Sequence, residues 1–460
     1  MVTTEGPPCF VDVFAGCGGL SLGLKRAGWK GLFAIEKDAF AFETLNANFG
    51  GTEGPLTYSW PTTVERKRWD IRRLIDTRPD ALRAMAGKVD LIAGGPPCQG
   101  FSHAGRRRLT DPRNKLFEAY LELVDILLPK LVLVENVRGF TSDFKAKRNG
   151  AIKNFASTLE EKLSKKYDIT FSVIKASDFG VPQARPRFFL IGVRKDLGQS
   201  ALIESFFADL SRHSKIFLGK KGLSRSPSAR DAISDLEIAR NGMSACAESN
   251  GFMTIDYKSP ITAFQKAMHE GHDGAPSGLR LARHRDDISR RFGEIIKTCR
   301  EEGRLNVNLS AETKKAHKLK KAALRVLDPL SPAPTITSLP DDLLHYSEPR
   351  TLTVRENARL QTFPDWFTFH GKYTTGGHLR RKEVPRFTQV ANAVPPLLAE
   401  QIGSRLLEIL LGCKPIRMST KSVANDRKRQ TLSTKFAPKL RHPRVIDRNR
   451  RFSTLDRSQS

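Results

Sequence analysis

The sequence predicts an α/β fold, a doubly wound mixed sheet joined to a smaller irregular region. Short apolar runs alternate with helical patterns over the first 195 residues, which is typical of strands separated by helices. A glycine-rich turn connects the first strand to the first helix. Regular patterning is lost over residues 196–350 and then returns. A chain of 460 residues is long enough for two to three domains.

The elements of the first 195 residues follow from their apolar spacing. The predicted strands are 10–14, 31–35, 89–93, 131–134, 170–175 and 187–193. The predicted helices are 20–27, 39–48, 74–85, 114–128 and 149–166. The last two strands are close together in the chain, which indicates an antiparallel hairpin at the sheet edge.

The second half of the chain is less regular. Ser, Gly, Lys and Arg are frequent over 196–339, and a basic run there fits a solvated helix face. Its members are Lys314, Lys315, Lys318, Lys320, Lys321 and Arg325. Order returns at 351–367 and 387–411, where an apolar helix over 396–411 should pack back on the core. Residues 414–460 have the composition of a disordered basic tail.

The charge balance favours a polyanionic partner. The chain has 77 Lys and Arg against 49 Asp and Glu, a net charge of +28. The tail has 14 Lys and Arg and three Asp, a net of +11, so the rest of the chain is strongly basic as well. Nucleic acid is the simplest partner for such a surface.

Cysteine and histidine spacing predicts no metal site and no disulfide framework. The six cysteines form no C-x-x-C pair, so reduced thiols are expected. His269 and His272 lie near Cys246 and His284 in sequence, but loop histidines are commoner than such a metal cluster. No signal peptide and no 18-residue apolar span is present, so we expect a cytoplasmic protein without a membrane helix.

A proline-rich loop with a cysteine follows the predicted strand 89–93. Its sequence is Pro96-Pro97-Cys98-Gln99. The prolines stiffen the loop, and open α/β sheets bind ligands at the carboxyl ends of their strands. A lone cysteine is commonly a buried apolar residue, but this setting favours a thiolate nucleophile.

The glycine-rich turn 14–19 indicates a cofactor site. Its glycines allow a ligand to approach the helix N-terminus, although Ser21 stands where a dinucleotide fingerprint would have its third glycine. Glu36 ends the second strand, the place for a carboxylate that binds both ribose hydroxyls. Asp70, after a plausible further strand, can either accept from an adenine amino group or cap the next helix. These features indicate a cofactor with adenosine but no dinucleotide pyrophosphate.

The motifs together resemble the bacterial type of DNA (cytosine-5)-methyltransferase, which uses S-adenosylmethionine. The matching segments cover residues 10–194 and about 351–411, in the order of the family. They are 12–19, Glu36, Asp70, 95–102, 135–137, 183–187, 355–364 and 389–396. Ala391 is a mild departure, since many members have Gly there.

The resemblance implies the S-adenosylmethionine-dependent methyltransferase fold, which is Rossmann-like. Residues 1–195 would be the catalytic domain and 196–350 the target-recognition domain, with base-reading residues. Residues 351–413 would complete the core.

The resemblance also implies the chemistry, methyl transfer to C5 of a cytosine in a short specific duplex sequence. Cys98 would attack C6 as a thiolate, and Glu135 would protonate or hydrogen-bond N3. Arg185 and Arg187 alternate by two, so on a strand they face one side and can hold the cytosine O2, a phosphate or Glu135. No side chain stands out to remove the C5 proton, for which water is a candidate. The base should be flipped out of the duplex.

Further site residues are implied by the same resemblance. Those for the cofactor are Phe14, Ala15, Gly16, Gly18, Gly19, Leu20, Glu36, Asp70, Pro96, Asn392 and Val394. Those for DNA are Gln99, Ser102, Arg106, Arg107 and Arg108, in a loop expected to close over the duplex. Asn392 should also be structural, with Pro395 and Pro396 closing the domain. Gln361, Phe363 and Pro364 should position the recognition region.

Three rival functions use the same residues differently. A tRNA cytosine-5 methyltransferase shares the scaffold, but Gly100 and the long recognition region favour DNA. A catalytically silent DNA-binding protein is disfavoured by the intact candidate residues. A Rossmann-type oxidoreductase is disfavoured by the missing third glycine. The expected partners are duplex DNA and a cognate restriction endonuclease in a restriction-modification system, with a monomeric enzyme associated with the nucleoid.

Overall fold

Six strands form the central sheet of this computed structural model, which describes residues 6–51, 53–96, 114–141, 144–145, 152–153, 155–321, 323–376, 379 and 382–412. The strands are Cys9–Val13 (β1), Lys30–Ile35 (β2), Leu91–Gly94 (β3), Leu131–Val137 (β4), Tyr167–Lys175 (β5) and Pro186–Arg194 (β6). Their order is β2-β1-β3-β4-β6-β5. Strands β1 to β4 are parallel, and β6 is antiparallel to both of its neighbours. All six predicted strands and the edge hairpin are therefore confirmed.

Helices cover both faces of this sheet. Alternate residues of one strand point to opposite faces, and they enter two separate apolar clusters: Phe10 and Leu91 pack in one, Val11 and Ile92 in the other. The helices of this half are Gly19–Arg26, Ala39–Phe49, Ile71–Thr77, Pro79–Arg83, Asn114–Leu127 and Phe155–Leu163. A sheet buried on both faces is typical of a doubly wound fold.

Three predictions for this half need correction. The helix expected over 74–85 is two helices, because Pro79 fixes its own φ and disfavours helical backbone at Arg78. Among described residues 53–70 there is no strand before Asp70. The helix expected over 149–166 is shorter, since Ile152–Lys153 pairs with Phe144–Lys145 as an antiparallel ribbon.

The region from 196 to 350 contains more regular structure than its composition suggested. Its helices are Ser200–Glu204, Phe206–Lys220, Ala229–Ile233, Ile238–Asn241, Ala263–His269, Asp286–Glu301 and Ala311–Ala316. The helix Asp286–Glu301 buries Phe292, Ile295, Ile296 and Cys299. That spacing is the amphipathic pattern of a helix, so the prediction of weak periodicity was wrong there.

Short strand pairs and single turns join these elements. Met243–Ala245 pairs with Met253–Ile255, Arg325–Val326 with Leu343–Leu344, and Ala333–Pro334 with Gln183–Ala184. The 3₁₀ turns are Arg138–Thr141, Ala176–Phe179, Lys195–Leu197, Ser234–Leu236 and Pro340–Asp342. The described residues belong to one compact unit, and the functional division at 195 and 350 stays a prediction.

The last described segment returns to the sheet. Its helices are Val354–Leu360, Arg386–Asn392 and Pro396–Leu410, the last of which we name the C-terminal helix. A Cβ on Gly23 would overlap Ala399, and the Trp29 Nε1–H donates to the Gly403 carbonyl at 2.9 Å. The C-terminal helix therefore packs on the first helix, as predicted.

Candidate active site

The sheet topology gathers the candidate residues at one edge. The parallel strands β1 to β4 end there, so the turn after β1, Glu36, the loop after β3 and Glu135 come together. Strand β6 is antiparallel and begins at the same edge, where Arg187 pairs with Val137 in register. The arginines and the acidic residue therefore meet because one strand runs opposite to the others.

The glycine-rich turn adopts backbone conformations that glycine permits. Gly16 and Gly18 have φ of 56° and 94°, in the left-handed region. A Cβ on Gly18 would overlap the ring of Phe49, whereas one on Gly16 would meet no atom within 4 Å. The turn is thus packed on one side and open at Gly16, which leaves room for a ligand there.

Glu36 ties this turn to the end of β2. Its Oε2 accepts from the Gly16 N–H at 2.9 Å and its Oε1 accepts from the Asp38 N–H at 2.7 Å. Burial raises the pKa of Glu36, and the backbone N–H groups oppose that rise. The carboxylate therefore lies beside the open space at Gly16, as a ribose-binding residue would.

Asp70 occupies the N-cap of the helix Ile71–Thr77. Its Oδ1 accepts from the Arg72 N–H at 3.0 Å and the Arg73 N–H at 3.4 Å. Asp70 therefore caps this helix, which is one of the two roles predicted for it. Contact of Asp70 with an adenine amino group stays a prediction.

The return segment closes on the first helix next to the glycine turn. A Cβ on Gly19 would lie 2.5 Å from the Val394 carbonyl oxygen and 3.1 Å from the Phe363 ring. Gln361 is fully buried and donates through Nε2 to the Val390 carbonyl at 2.8 Å. Gln361 therefore holds the return segment together, while its predicted role in positioning the recognition region stays a prediction. By contrast, the side chain of Asn392 is exposed at the end of its helix.

A buried polar network under the turn was missed by the sequence reasoning. The Ser21 hydroxyl donates to Asp12 and lies 2.5 Å from the Tyr58 hydroxyl. Burial raises the pKa of Asp12 to about 7 and lowers that of Lys25, whose ammonium lies 4.2 Å from the Tyr58 ring centroid, to about 7. At the position of the third fingerprint glycine, this chain therefore has a serine whose hydroxyl group forms a hydrogen bond to Asp12. The signal for this network was Asp12, an acidic residue within an apolar strand.

Glu135 lies at the end of β4, with its side chain 12% exposed. Its Oε1 is 3.1 Å from Arg187 Nε. Burial raises the pKa of Glu135, while Arg187 and Arg185 oppose the rise. A Cβ on Gly95 would lie 2.9 Å from the Glu135 carbonyl oxygen and 3.0 Å from its Oε2. Only glycine therefore lets the loop after β3 pass this close to the carboxylate.

Arg185 is a buried guanidinium with spare donors. Its Nη2 donates to the Ala391 carbonyl at 2.7 Å, and its Nε and Nη1 have no hydrogen-bond partner among the described residues. Burial lowers the pKa of Arg185. Buried donors without partners are uncommon in folded proteins, so these two groups suit a ligand.

The loop after β3 begins beside Glu135. The Asn136 Nδ2 donates to the Pro96 carbonyl at 3.0 Å, which fixes where the loop leaves the sheet. The remaining predicted residues of this loop lie outside the described residues: Cys98, Gln99, Ser102, Arg106, Arg107 and Arg108. Their roles stay predictions.

The described part of the chain contains no group of three His, Cys, Asp or Glu residues that could hold a metal ion. His269 is instead 2.8 Å from Asp365 through Nδ1, and His284 Nε2 is 3.3 Å from the Thr351 hydroxyl. Within the same described ranges, no helix is both long enough and apolar enough to cross a membrane.

Comparisons with known proteins agree with this geometry. The family model for C-5 cytosine-specific DNA methylases matches residues 9–408. Type II methyltransferase M.DdeI of Desulfomicrobium norvegicum is 32% identical over 402 residues, which cover 86% of this chain and 88% of that protein. Type II methyltransferase M.XorII of Xanthomonas oryzae pv. oryzae is 30% identical, with 88% and 85% covered.

A solved structure supports the fold. A crystal structure described as a DNA modification methyltransferase encoded within a prophage (E. coli) superposes with a TM-score of 0.60 at 27% identity. The match covers 88% of this chain and 99% of that one. The chain therefore belongs to the C-5 cytosine-specific DNA methylase family and is a DNA (cytosine-5)-methyltransferase.

Proposed function

We propose that this enzyme acts as the methyltransferase of a type II system and methylates C5 of a flipped cytosine in a short duplex sequence. The observation that carries the proposal is Glu135. It is a buried carboxyl group beside Arg187, at the sheet edge where the Cys98 loop begins. A cytosine in tRNA would account for the position of Glu135 equally well, so the choice between duplex DNA and tRNA is decided by experiment.

The nucleophile of the proposed reaction is Cys98. Cytosine C5 is a poor nucleophile, and a thiolate bond to C6 makes C5 enamine-like. The new Cys98–C6 bond places electrons on the ring, and a proton delivered to N3 relieves that charge. After C5 has taken the methyl group, water removes the C5 proton, and the electron pair of that C–H bond forms the C5–C6 double bond. The Cys98–C6 bond breaks in the same elimination, its electron pair leaves with the thiolate, and the proton on N3 returns to Glu135.

Glu135 supplies the proton or hydrogen bond at N3 in this scheme. Burial raises the pKa of its carboxyl group, which favours the form that carries a proton. Arg187 holds Oε1 and so directs the other oxygen toward the base. The proposed division of labour is that Arg187 orients Glu135 and Glu135 contacts cytosine.

Arg185 fits the role of binding the cytosine O2. Its Nε and Nη1 are buried without a partner among the described residues, while Nη2 is anchored on Ala391. A base flipped into this pocket would present O2 as an acceptor. The anchored guanidinium would then lose little side-chain entropy on binding the base.

S-adenosylmethionine, when bound, supplies the methyl group as a sulfonium. The fit is supported by the open space at Gly16 and by the Glu36 carboxylate beside it. Glu36 would accept from both ribose hydroxyls, and Gly18 and Gly19 let the backbone come close. Phe14, Ala15, Leu20, Asp70, Pro96, Asn392 and Val394 complete the proposed cofactor site.

The proposed DNA contacts depend on the loop after β3 and on the region 196–350. Gln99, Ser102 and the arginines 106–108 would grip the duplex around the flipped base. A monomer is sufficient for one such site, and a cognate endonuclease would be the natural companion of a type II methyltransferase.

Expression in a bacterial host without cytosine methylation tests this proposal. Bisulfite sequencing of the host genome should show methylation confined to one short motif. The C98A variant, made as a matched control, should give none while it still binds DNA and cofactor. If the folded wild-type protein methylates tRNA and leaves genomic DNA unmodified, the duplex proposal is wrong.

A further inference from the structure

An open cleft of about 490 Å³ lies beside the strand that leads to the catalytic arginines. Its lining consists of two basic and three uncharged polar side chains together with two prolines and one alanine. The lining residues are Lys175, Ala184, Asn306, Arg325, Ser331, Pro332, Pro334 and Thr335. No carboxylate belongs to this lining, whose side chains have a net charge of +2, although the Asp328 carboxylate accepts from the Ser331 hydroxyl in the wall.

The wall of the cleft is attached to the active site by backbone pairing. Ala333–Pro334 pairs in parallel with Gln183–Ala184, and the Thr335 hydroxyl donates to the Ala184 carbonyl at 3.0 Å. Ala184 directly precedes Arg185. Lys175, at the end of β5, pairs in register with Pro186 on the other side. The lining residue Ala184 is thus one residue from Arg185 and three residues from Arg187, the guanidinium that contacts Glu135.

The two cations of the cleft, Lys175 and Arg325, are not paired with a carboxylate in the described part of the chain. Neither Lys175 nor Arg325 forms a salt bridge with a residue that the structure describes. Arg325 Nε donates to the Asn308 amide oxygen at 3.0 Å, which orients the guanidinium without cancelling its charge. Oriented guanidinium groups are well suited to bind phosphate in a bidentate manner.

Hydrogen bonds of the Asn306 side chain hold the uncharged part of the lining in place. Asn306 adopts a φ of 62°, its Oδ1 accepts from the Asp328 N–H at 2.9 Å, and its Nδ2 donates to the Pro332 carbonyl at 3.2 Å. The wall at Ser331 and Pro332 is therefore fixed by the same side chain. A fixed polar wall beside two cations that have no salt-bridge partner among the described residues would suit an anion.

We propose that this cleft binds a backbone phosphate of the DNA strand that carries the target cytosine, with Lys175 and Arg325 as positioning residues. The inference rests on the proposed function, since it assumes a base held by Glu135 and Arg185. Phosphate contacts fix the register of a protein on DNA without reading its sequence. Lys175 and Arg325 would therefore set where the strand enters the active site.

Duplex binding measured at several salt concentrations tests this proposal. Fluorescence anisotropy with a labelled duplex that contains the target motif would compare wild type with K175Q, R325Q and the double variant. Each lost phosphate contact should reduce the slope of log K against log salt by about 0.9. Affinity near 0.1 M salt should fall on the order of three- to tenfold for each variant. The KM for DNA should rise by more than kcat falls.

Lys195 offers a matched control on the same sheet. It follows β6 at the end opposite to Pro186, so it lies roughly 30 Å from Lys175 along the strand. K195Q removes the same charge from an exposed position and should leave the salt slope at the wild-type value. Equal slopes for K175Q, R325Q, K195Q and wild type would overturn the proposal.

Two further outcomes separate this inference from its alternatives. If K175Q loses inorganic phosphate binding by calorimetry but keeps the wild-type salt slope for DNA, the cleft is a free-anion site and the proposal is wrong. If wild type binds no duplex, the proposed function itself fails. A normal duplex affinity with an unchanged slope in the variants would leave the proposed function intact.

Discussion

Glu36 directly follows β2 and Glu135 lies near the end of β4, two parallel strands of one sheet, and burial raises the pKa of both carboxyl groups. Their partners differ. Each oxygen of Glu36 accepts from one backbone N–H, of Gly16 and of Asp38. Glu135 has a guanidinium on Oε1, and its Oε2 has no donor among the described residues. The two backbone N–H donors hold the Glu36 carboxylate in place and favour its charged form. The Glu135 carboxyl group has one oxygen without a donor among the described residues, and that oxygen can carry a proton.

The difference shows how one sheet edge provides two kinds of acidic site. At Glu36 the acid organises a turn and leaves the open space for the ligand at Gly16. At Glu135 the chain itself approaches the acid, at Gly95, and the ligand must reach a single oxygen. In the proposed function, the first site would bind a ligand and the second would move a proton.

The largest effect should come from Glu135→Gln. A glutamine keeps the shape of the side chain but cannot donate the proton to N3, so kcat should fall about 10²- to 10⁴-fold. Affinity for DNA and cofactor should stay within about threefold, because shape and burial are kept. Single-turnover methyl transfer with saturating substrates measures this. Equal losses in kcat and in DNA affinity would mean that Glu135 is structural.

Glu36→Gln should act on the cofactor side instead. The amide cannot accept from both ribose hydroxyls and from two backbone N–H groups, so the Kd for S-adenosylmethionine should rise about 10- to 100-fold. Isothermal titration calorimetry measures this, with kcat determined at saturating cofactor. If Glu36→Gln reduces kcat as strongly as Glu135→Gln does, the contrast between the two sites is wrong.

The pH dependence should separate the two acids further. The pKa of Glu135 is raised, so the form that carries a proton persists above the ordinary glutamic acid range, and kcat should fall as pH rises through that pKa. The limit is tenfold for each pH unit. Arg187→Gln removes a cation that lowers this pKa, so the falling limb should move to higher pH. A limb at the wild-type position in Arg187→Gln would contradict the pairing.

Gly16→Ala should give the smallest effect. Its Cβ would find open space, but the φ of 56° costs an L-residue about 1–2 kcal/mol of folding free energy. Denaturant unfolding of the protein without cofactor measures this change. Gly19→Ala is the useful comparison, since its Cβ would lie 2.5 Å from the Val394 oxygen and should destabilise the fold more. A larger loss for Gly16→Ala would show that the open space is absent.

Sequence patterns predicted the sheet well because its strands are local and apolar. Strand β4, for example, begins with four buried apolar residues before its first polar side chain, Glu135. The candidate site followed from the same logic, since parallel strands end at one edge. The predicted partners of Arg187 were the cytosine O2, a phosphate and Glu135, and the structure places Glu135 beside its guanidinium group.

The parts that failed depend on contacts between distant segments. Arg359 is fully buried between Asp365 and Asp235, which is 124 residues away. Gln183 donates to Gln361 at 3.1 Å across 178 residues. Such pairs leave no periodic signal, so composition alone made the region 196–350 look irregular. The helix Asp286–Glu301 is different, because its apolar spacing was present in the sequence and was overlooked.

The contact of Gly19 with Val394 has a consequence for synthesis. The turn that would hold the cofactor forms near the start of the chain, but its packing partner is made some 375 residues later. At 5–20 residues per second, the ribosome needs roughly 20–75 s to reach that partner. A nascent chain therefore lacks this packing partner of the proposed cofactor turn until Val394 has been made. The methyltransferase would gain its activity only after that point, and a premature stop before Val394 would abolish it.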